Sequence, residues 1–195
     1  DNGILSLEDS SSTFLGNGWT SLEESQESLI KIKHHLTMTT GLDYLVDNLN
    51  CTDPNCLTYK NTPGTNWFYH NATYSLLKDV IENASETTYN DFTNQKVKMQ
   101  IGMGGSWIQS NYSNIYWSTA RDMARFGLLI LNEGVWDNQV ILSDTNYFSN
   151  MVNTSQQMNE SYGYLWWLNG KDSLIPPGIT FPIQTSLASN APEDL

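Results

Sequence analysis

Between Ala72 and Ala84 the apolar residues Ala72, Leu76, Leu77, Val80, Ile81 and Ala84 recur at helical spacing, so they share one side of a predicted helix. Ser118 to Leu131 repeats the pattern with Ala120, Met123, Ala124, Gly127, Leu128 and Leu131, which form a second apolar stripe. Thr119 and Asp122 are placed to form a capping box at its start, and Gly134 follows its end. Shorter helices are predicted over residues 21–29, from Lys33 to Thr40 with a stop at Gly41, and from Ser143 to Val152. Tyr162-Gly-Tyr-Leu-Trp-Trp-Leu168 is rich in strand formers and reads as a strand entering a core. Residues 171–195 hold Pro176, Pro177, Pro182 and Pro192 and read as coil. The chain is therefore mostly helical, with too few strands to pair into a proper sheet. An all-α unit that normally packs on a sheet elsewhere in the chain has this pattern.

A length of 195 residues with 39% hydrophobic and 12% aromatic content is that of a single globular domain rather than a disordered chain. Charge narrows the partners. The formal net charge is −12, and Arg121 and Arg125 are the sole arginines, so phosphate-rich nucleic acid and anionic membranes are poor partners. Polarity comes instead from 21 Asn, 20 Ser and 18 Thr, a surface typical of exported proteins. Six Asn-x-Ser/Thr sequons decide nothing, because this composition yields roughly four by chance. No apolar run approaches the roughly 18–20 residues of a membrane span. The chain has no initiating Met and no signal peptide, and both ends read as cut, as in a fragment or a processed chain.

Two cysteines flank a turn in Cys51-Thr-Asp-Pro-Asn-Cys56, a spacing that brings them to disulfide distance. Free thiols are the other reading. A disulfide would place the chain in an oxidising compartment. His34, His35 and His70 form no helical i, i+4 pair, so no metal site is expected.

Ser-x-x-Lys, which aligns a hydroxyl with an amine on a helix, occurs at Ser28–Lys31 and Ser75–Lys78 against roughly 0.7 expected by chance. Neither reads as a nucleophile. Tyr-x-Asn occurs at Tyr59, Tyr69 and Tyr112 against about one by chance. Context separates the three. The Pro63-Gly64 turn, an extended Asn66–Tyr69 and an N-cap at Asn71 set Tyr69 and Asn71 on a rigid loop-to-helix junction. The plainer alternative is that Asn71 only caps and Tyr69 only packs. Gly102-Met-Gly-Gly105 lacks the frame of a phosphate loop and reads as a turn. Trp166 and Trp167 read as core residues, and Arg121 and Arg125 as ion-pair partners of nearby acids.

The run from Pro63 to Leu77 resembles the Pro-Gly…Tyr-x-Asn…Tyr-x-Leu-Leu segment of class C β-lactamase-like serine hydrolases, a family of β-lactamases, esterases, peptidases and amidases. Ile32-Lys-His-His-Leu-Thr-Met-Thr-Thr-Gly-Leu42 and Ser118-Thr-Ala-Arg-Asp-Met-Ala-Arg-Phe-Gly-Leu128 resemble two further family helices, in family order. The resemblance implies the helical portion of an α+β β-lactamase/transpeptidase-like fold, one partial domain over residues 1–195 with its sheet largely missing. It also implies catalytic roles for Tyr69 and Asn71, no cofactor, and a small-molecule or peptide-like substrate. His70, between those two, reads as a pocket-wall or packing residue rather than a base. The family's Ser-x-x-Lys helix and Lys-Thr-Gly-like strand lie outside this sequence, so the chain alone is expected to be inactive. A second class stays open, an exported non-catalytic module that keeps the scaffold and binds glycan or peptidoglycan. Oligomeric state is undetermined by the sequence.

Overall fold

The computed structural model describes residues 3–191. Helices α1 (Ser12–Leu15), α2 (Glu24–Glu27) and α3 (Ile32–Leu36) precede the long α4 (Asn71–Ser85), and α5 (Tyr89–Thr93) leads into a π-helical turn. Strands β1 (Ser106–Ser110) and β2 (Ser113–Trp117) form an antiparallel hairpin, followed by α6 (Ala120–Leu131). A two-residue ladder pairs β3 (Val135–Trp136) with β4 (Gln139–Val140), and α7 (Thr145–Val152) follows. The mostly helical reading stands, with two small hairpins in place of a sheet. Among the described residues, no helix is long and apolar enough to cross a membrane.

Helix α4 organises the core because its predicted stripe is buried on two sides. Ala72 and Leu76 join Trp19, Ile30, Leu42 and Leu57 in one apolar cluster, while Val80 joins Ile32 and Leu36 in another. A third cluster of Met38, Trp67, Tyr162 and Ile175 receives Tyr74 from the same helix. Helix α3 is tied to α4 through His35, which is fully buried and bonds the Thr73 carbonyl through Nδ1 at 2.8 Å and Ser11 Oγ through Nε2 at 2.9 Å.

Several boundaries differ from the sequence reading, each for a local reason. Helix α3 ends at Leu36 rather than at Thr40, because Met38 takes the left-handed conformation (φ 59°) that usually falls to glycine. The Thr39 N–H bonds the His34 carbonyl at 2.8 Å and the Met38 N–H bonds that of His35 at 3.4 Å, the paired closure of a Schellman motif. Tyr162 to Leu168 is not a strand. Leu165 at φ 54° reverses the chain, leaving a single bridge between Tyr162 and Trp167. The β1–β2 hairpin was not foreseen. Its turn holds Asn111 at φ 50°, and Asn90 supplies a side-chain substitute for a third strand, its amide bonding Trp107 N–H at 2.9 Å and Trp107 C=O at 2.8 Å. Thr119 caps α6 as expected, accepting the Asp122 N–H, while Arg125 pairs with Asp122 at 2.7 Å. Asp122 and Leu129 mark the buried side of α6, so its predicted apolar stripe faces outward.

Glu27 is buried without a cation among its bonded partners. Its carboxylate accepts from Gly18 N–H (2.9 Å), Thr20 N–H (2.8 Å), Thr20 Oγ1 (2.6 Å) and Ser12 Oγ (3.3 Å), closing the loop between α1 and α2. Glu27→Ala strands two backbone N–H groups in a buried setting, so we expect a loss of about 2–4 kcal/mol in urea unfolding. A change under about 0.5 kcal/mol would mean that water satisfies the loop.

Candidate active site

Residues 66–69, outside any helix or strand, run alongside the end of α3. The Gly64 N–H donates to Thr39 C=O at 2.8 Å and the Phe68 N–H to Met38 C=O at 3.0 Å. The left-handed turn at Met38 thus aims the carbonyl that fixes the residue before Tyr69. Thr73 Oγ1 also meets Met38 Sδ at 3.4 Å, tying the same turn to α4.

The Tyr69 ring stacks on Trp167 at 5.6 Å between centroids, meets Tyr162 edge-on at 6.1 Å and lies 6.0 Å from Tyr74. Trp67 packs edge-on against Tyr162 and Trp167 behind it. Burial foremost, then Tyr74, pushes the Tyr69 phenol above its usual value of 10, and hydrogen bonding from the Trp167 side chain opposes this. Trp166 packs elsewhere, 6.4 Å from Phe126. Both tryptophans are half-buried, so the core reading holds only in part: Trp167 packs against the buried cluster of Met38, Trp67, Tyr162 and Ile175 and forms a wall beside Tyr69, while Trp166 joins no buried cluster among the described residues.

Asn71 departs from expectation in one respect. The N-cap of α4 is His70, and Asn71 is the first helical residue. Loop backbone serves the first turn instead, since Ala72 N–H donates to Leu49 C=O at 2.9 Å. The Asn71 amide is thereby freed from capping, and its Nδ2 donates to Asn50 Oδ1 at 2.8 Å. Asn50 adjoins Cys51, which is disulfide-bonded to Cys56 with Cα atoms 5.9 Å apart. The expected disulfide is present and steadies the loop against which Asn71 rests. Asp53 of that loop accepts from Tyr112 Oη at 2.7 Å, linking the β1–β2 turn to it.

His70 is buried, and its Nε2 donates to the Asp43 carbonyl at 3.3 Å. Burial holds its pKa below 6.5, so the ring is neutral at physiological pH. A packing role fits. The other Tyr-x-Asn residues lie in different settings, Tyr59 exposed and 3.4 Å from Thr62 Oγ1, Tyr112 engaged with Asp53.

Neither Ser-x-x-Lys match forms a catalytic pair. Ser28 is exposed and bonds the Ser25 carbonyl, while Lys31 is held by Glu8 at 2.8 Å. Ser75 bonds the Asn71 carbonyl at 3.0 Å, while Lys78 pairs with Glu82 at 2.6 Å and Asp79 at 3.1 Å. Both ammonium groups are committed to carboxylates, so neither is available as a neutral amine base. A concavity of about 690 Å³ is lined by Leu174, Ile183 and residues 185–191, and none of the residues discussed above lines it. It is open coil surface, and the chemistry points to Tyr69 instead.

Sequence reasoning missed Asn50, Tyr74 and Met38 as supports. The Asn50–Cys51 adjacency was the readable clue. The left-handed Met38 carried none.

The Beta-lactamase family model matches residues 1–184. A search of curated protein sequences finds no match. A β-lactamase candidate from Bacteroides dorei DSM 17855 is similar at 16% identity and TM-score 0.67, with 96% of this chain and 72% of that one covered. The β-lactamase/D-alanine carboxypeptidase of Yersinia pestis gives 16% identity and TM-score 0.60 over 94% of this chain and 64% of that one. A penicillin-binding protein from Bacillus halodurans gives 17% and 0.60 over 85% and 63%. At these identities the likeness is one of fold, and the chain spans under two thirds of the latter two proteins. With the family model running through residue 184 and the fold shared over nearly the whole chain, the chain belongs to the β-lactamase family of hydrolases.

Proposed function

We propose that this chain carries one part of the active site of an exported, class C-like serine hydrolase that acts on an ester, amide or β-lactam through an acyl-serine intermediate. The observation that carries the reading is the Tyr69–Asn71 junction. A phenol is held in the aromatic cluster, the Phe68 N–H before it is bonded to the Met38 carbonyl, and two residues on stands an amide freed from helix capping. The disulfide accords with export.

In this reading a serine outside the chain attacks the substrate carbonyl, and its hydroxyl proton passes to the Tyr69 phenolate. The resulting phenol returns the proton to the leaving group as the carbonyl–heteroatom bond breaks, and water then hydrolyses the acyl-serine. A phenol raised by burial is a poor base unless a cation stands beside it. The lysine of the serine's own helix supplies that cation. Asn71 holds the lysine and donates to the substrate.

The chain by itself is expected to leave nitrocefin and p-nitrophenyl esters at background. The encoded protein carrying an upstream Ser-x-x-Lys helix turns them over and is labelled at that serine by a fluorophosphonate. Stoichiometric labelling of Ser28 or Ser75 in the chain alone would overturn the reading.

A further inference from the structure

The six Asn-x-Ser/Thr sequons are too few above chance to decide anything by number, but the fold separates them. Attachment of a sugar needs a reachable asparagine amide and a reachable hydroxyl two residues on. In five sequons the amide is already committed. Asn159 is 2% exposed, and its Nδ2 donates to the Ile175 carbonyl at 3.1 Å. Asn71 Nδ2 donates to Asn50, and the Thr73 hydroxyl beyond it is buried against the His70 carbonyl at 2.7 Å. Asn50 accepts that bond and donates to Asn48 Oδ1 at 3.4 Å, and its neighbour Cys51 is locked in the disulfide. Asn83 in α4 and Asn153 at the end of α7 donate to the Phe14 and Ser149 carbonyls, and the Ser85 and Ser155 hydroxyls bond carbonyls as well. Asn111-Tyr-Ser113 differs on each count. Asn111 is exposed in the two-residue turn between β1 and β2, where φ 50° suits asparagine. The turn is fixed by other groups, with Gln109 Nε2 donating to the Asn111 carbonyl at 2.7 Å and Tyr112 Oη to Asp53 at 2.7 Å. Neither the Asn111 amide nor the Ser113 hydroxyl has a hydrogen-bond partner among the described residues.

We propose that Asn111 is an N-glycosylation site, modified with an oligosaccharide from a polyisoprenyl diphosphate donor as the encoded protein is exported. The inference rests on the export part of the proposed function, with which the Cys51–Cys56 disulfide accords, and not on the hydrolase chemistry. In the transfer the Asn111 amide nitrogen bonds to C1 of the donor sugar as the C1–oxygen bond to diphosphate breaks. The diphosphate leaves with the bonding electrons, and the amide proton passes to the transferase. At Asn111 this step gives up no side-chain bond, and a bulky polar chain at a loop tip stays in solvent. At Asn159 the same step would displace the bond to Ile175 and force a sugar into the core.

Expression of the encoded protein in a eukaryotic cell tests this, once as encoded and once with an appended secretion leader. Peptide-N-glycosidase digestion in heavy-oxygen water turns each glycosylated asparagine into a labelled aspartate, which peptide mass mapping locates. In both forms Asn111 is expected to carry the label, and Asn71 and Asn159 to stay unlabelled. Asn111→Gln and Ser113→Ala should each abolish one glycan step in gel mobility. Ser113→Ala keeps the asparagine and its turn, so it decides together with the site mapping if Asn111→Gln fails to leave the cell. Secreted protein bare at Asn111 would overturn the proposal and leave export standing. Protein that is retained and bare as encoded, yet glycosylated with the added leader, would overturn export and the proposal together. Labelling of Asn159 in secreted protein to the same extent as Asn111 would also overturn it, because the choice of acceptor would then not follow the fold.

Discussion

Replacing Tyr69 by Phe in the encoded protein that carries the nucleophile is expected to lower kcat by about 10²- to 10⁴-fold. The ring and its stack on Trp167 persist, so only the proton-carrying oxygen is removed. Stability should move by less than about 1 kcal/mol, because that oxygen's main role here is not structural. Tyr59→Phe and Tyr112→Phe share the residue pattern and serve as controls, with kcat expected within a few-fold of the parent. Tyr112→Phe gives up the 2.7 Å bond to Asp53, an exposed contact, and should lower stability only slightly while sparing turnover. If Tyr112→Phe abolished turnover and Tyr69→Phe did not, the wrong motif would have been assigned. Three silent variants would leave the phenol without a catalytic role and favour a binding module.

What the sequence revealed of the fold depended on whether local pattern and tertiary burial agreed. In α4 they agree, and the stripe through Ala72, Leu76 and Val80 is the buried one. In α6 the periodicity was correct and the element formed, yet the stripe faces solvent, because a pattern specifies that a helix has two sides and not which side is met by this chain. Met38 shows a different limit. A methionine in the left-handed region runs against its own propensity and is held there by packing against Trp67 and Tyr162, which no local rule reveals. The Tyr162–Leu168 run had strand composition, but Gly163 lies against the Met151 carbonyl and Leu165 turns the chain back. Close backbone contact set its shape.

The candidate site was legible to the extent that it is written in contiguous residues. Tyr69 and Asn71 stand two apart at a junction that Pro63-Gly64 and the helix pattern announced. Their supports come from afar in sequence. Asn50 reaches Asn71 across 21 residues, and Trp167 lies nearly a hundred residues beyond Tyr69. Asn71 shows how function and capping can be confused in a sequence, since asparagine at a helix start serves either. The Leu49 carbonyl meets the Ala72 N–H and His70 is the N-cap, so the Asn71 side chain does not cap α4.

Acid should unfold this chain over a window set by histidines. His35 is wholly buried with both ring nitrogens engaged. The Thr73 carbonyl can only accept, so Nδ1 carries the proton, and Nε2 therefore accepts from the Ser11 hydroxyl. Burial holds its pKa down from 6.5 to about 4, against a smaller opposing pull from the Thr73 carbonyl. His34 is depressed to about 4 as well, chiefly by burial and then by Lys33, and its Nδ1 must stay unprotonated to accept the Lys31 N–H at 3.0 Å. Because the folded pKa lies below the unfolded one, the unfolded chain holds more protons between pH 6.5 and 4. Stability is full above 6.5 and falls as the pH drops through that window. For His35 alone, two to three pH units at about 1.4 kcal/mol each give a loss of about 3 kcal/mol, and His34 adds in the same direction. Unfolding free energies measured in urea from pH 7.5 to 4.5 should decline by that order, before most carboxylates titrate. NMR titration should show the His35 ring unchanged down to about pH 5. A flat stability profile, or a His35 ring titrating near 6.5, would mean that the buried Ser11–His35–Thr73 link is open to water.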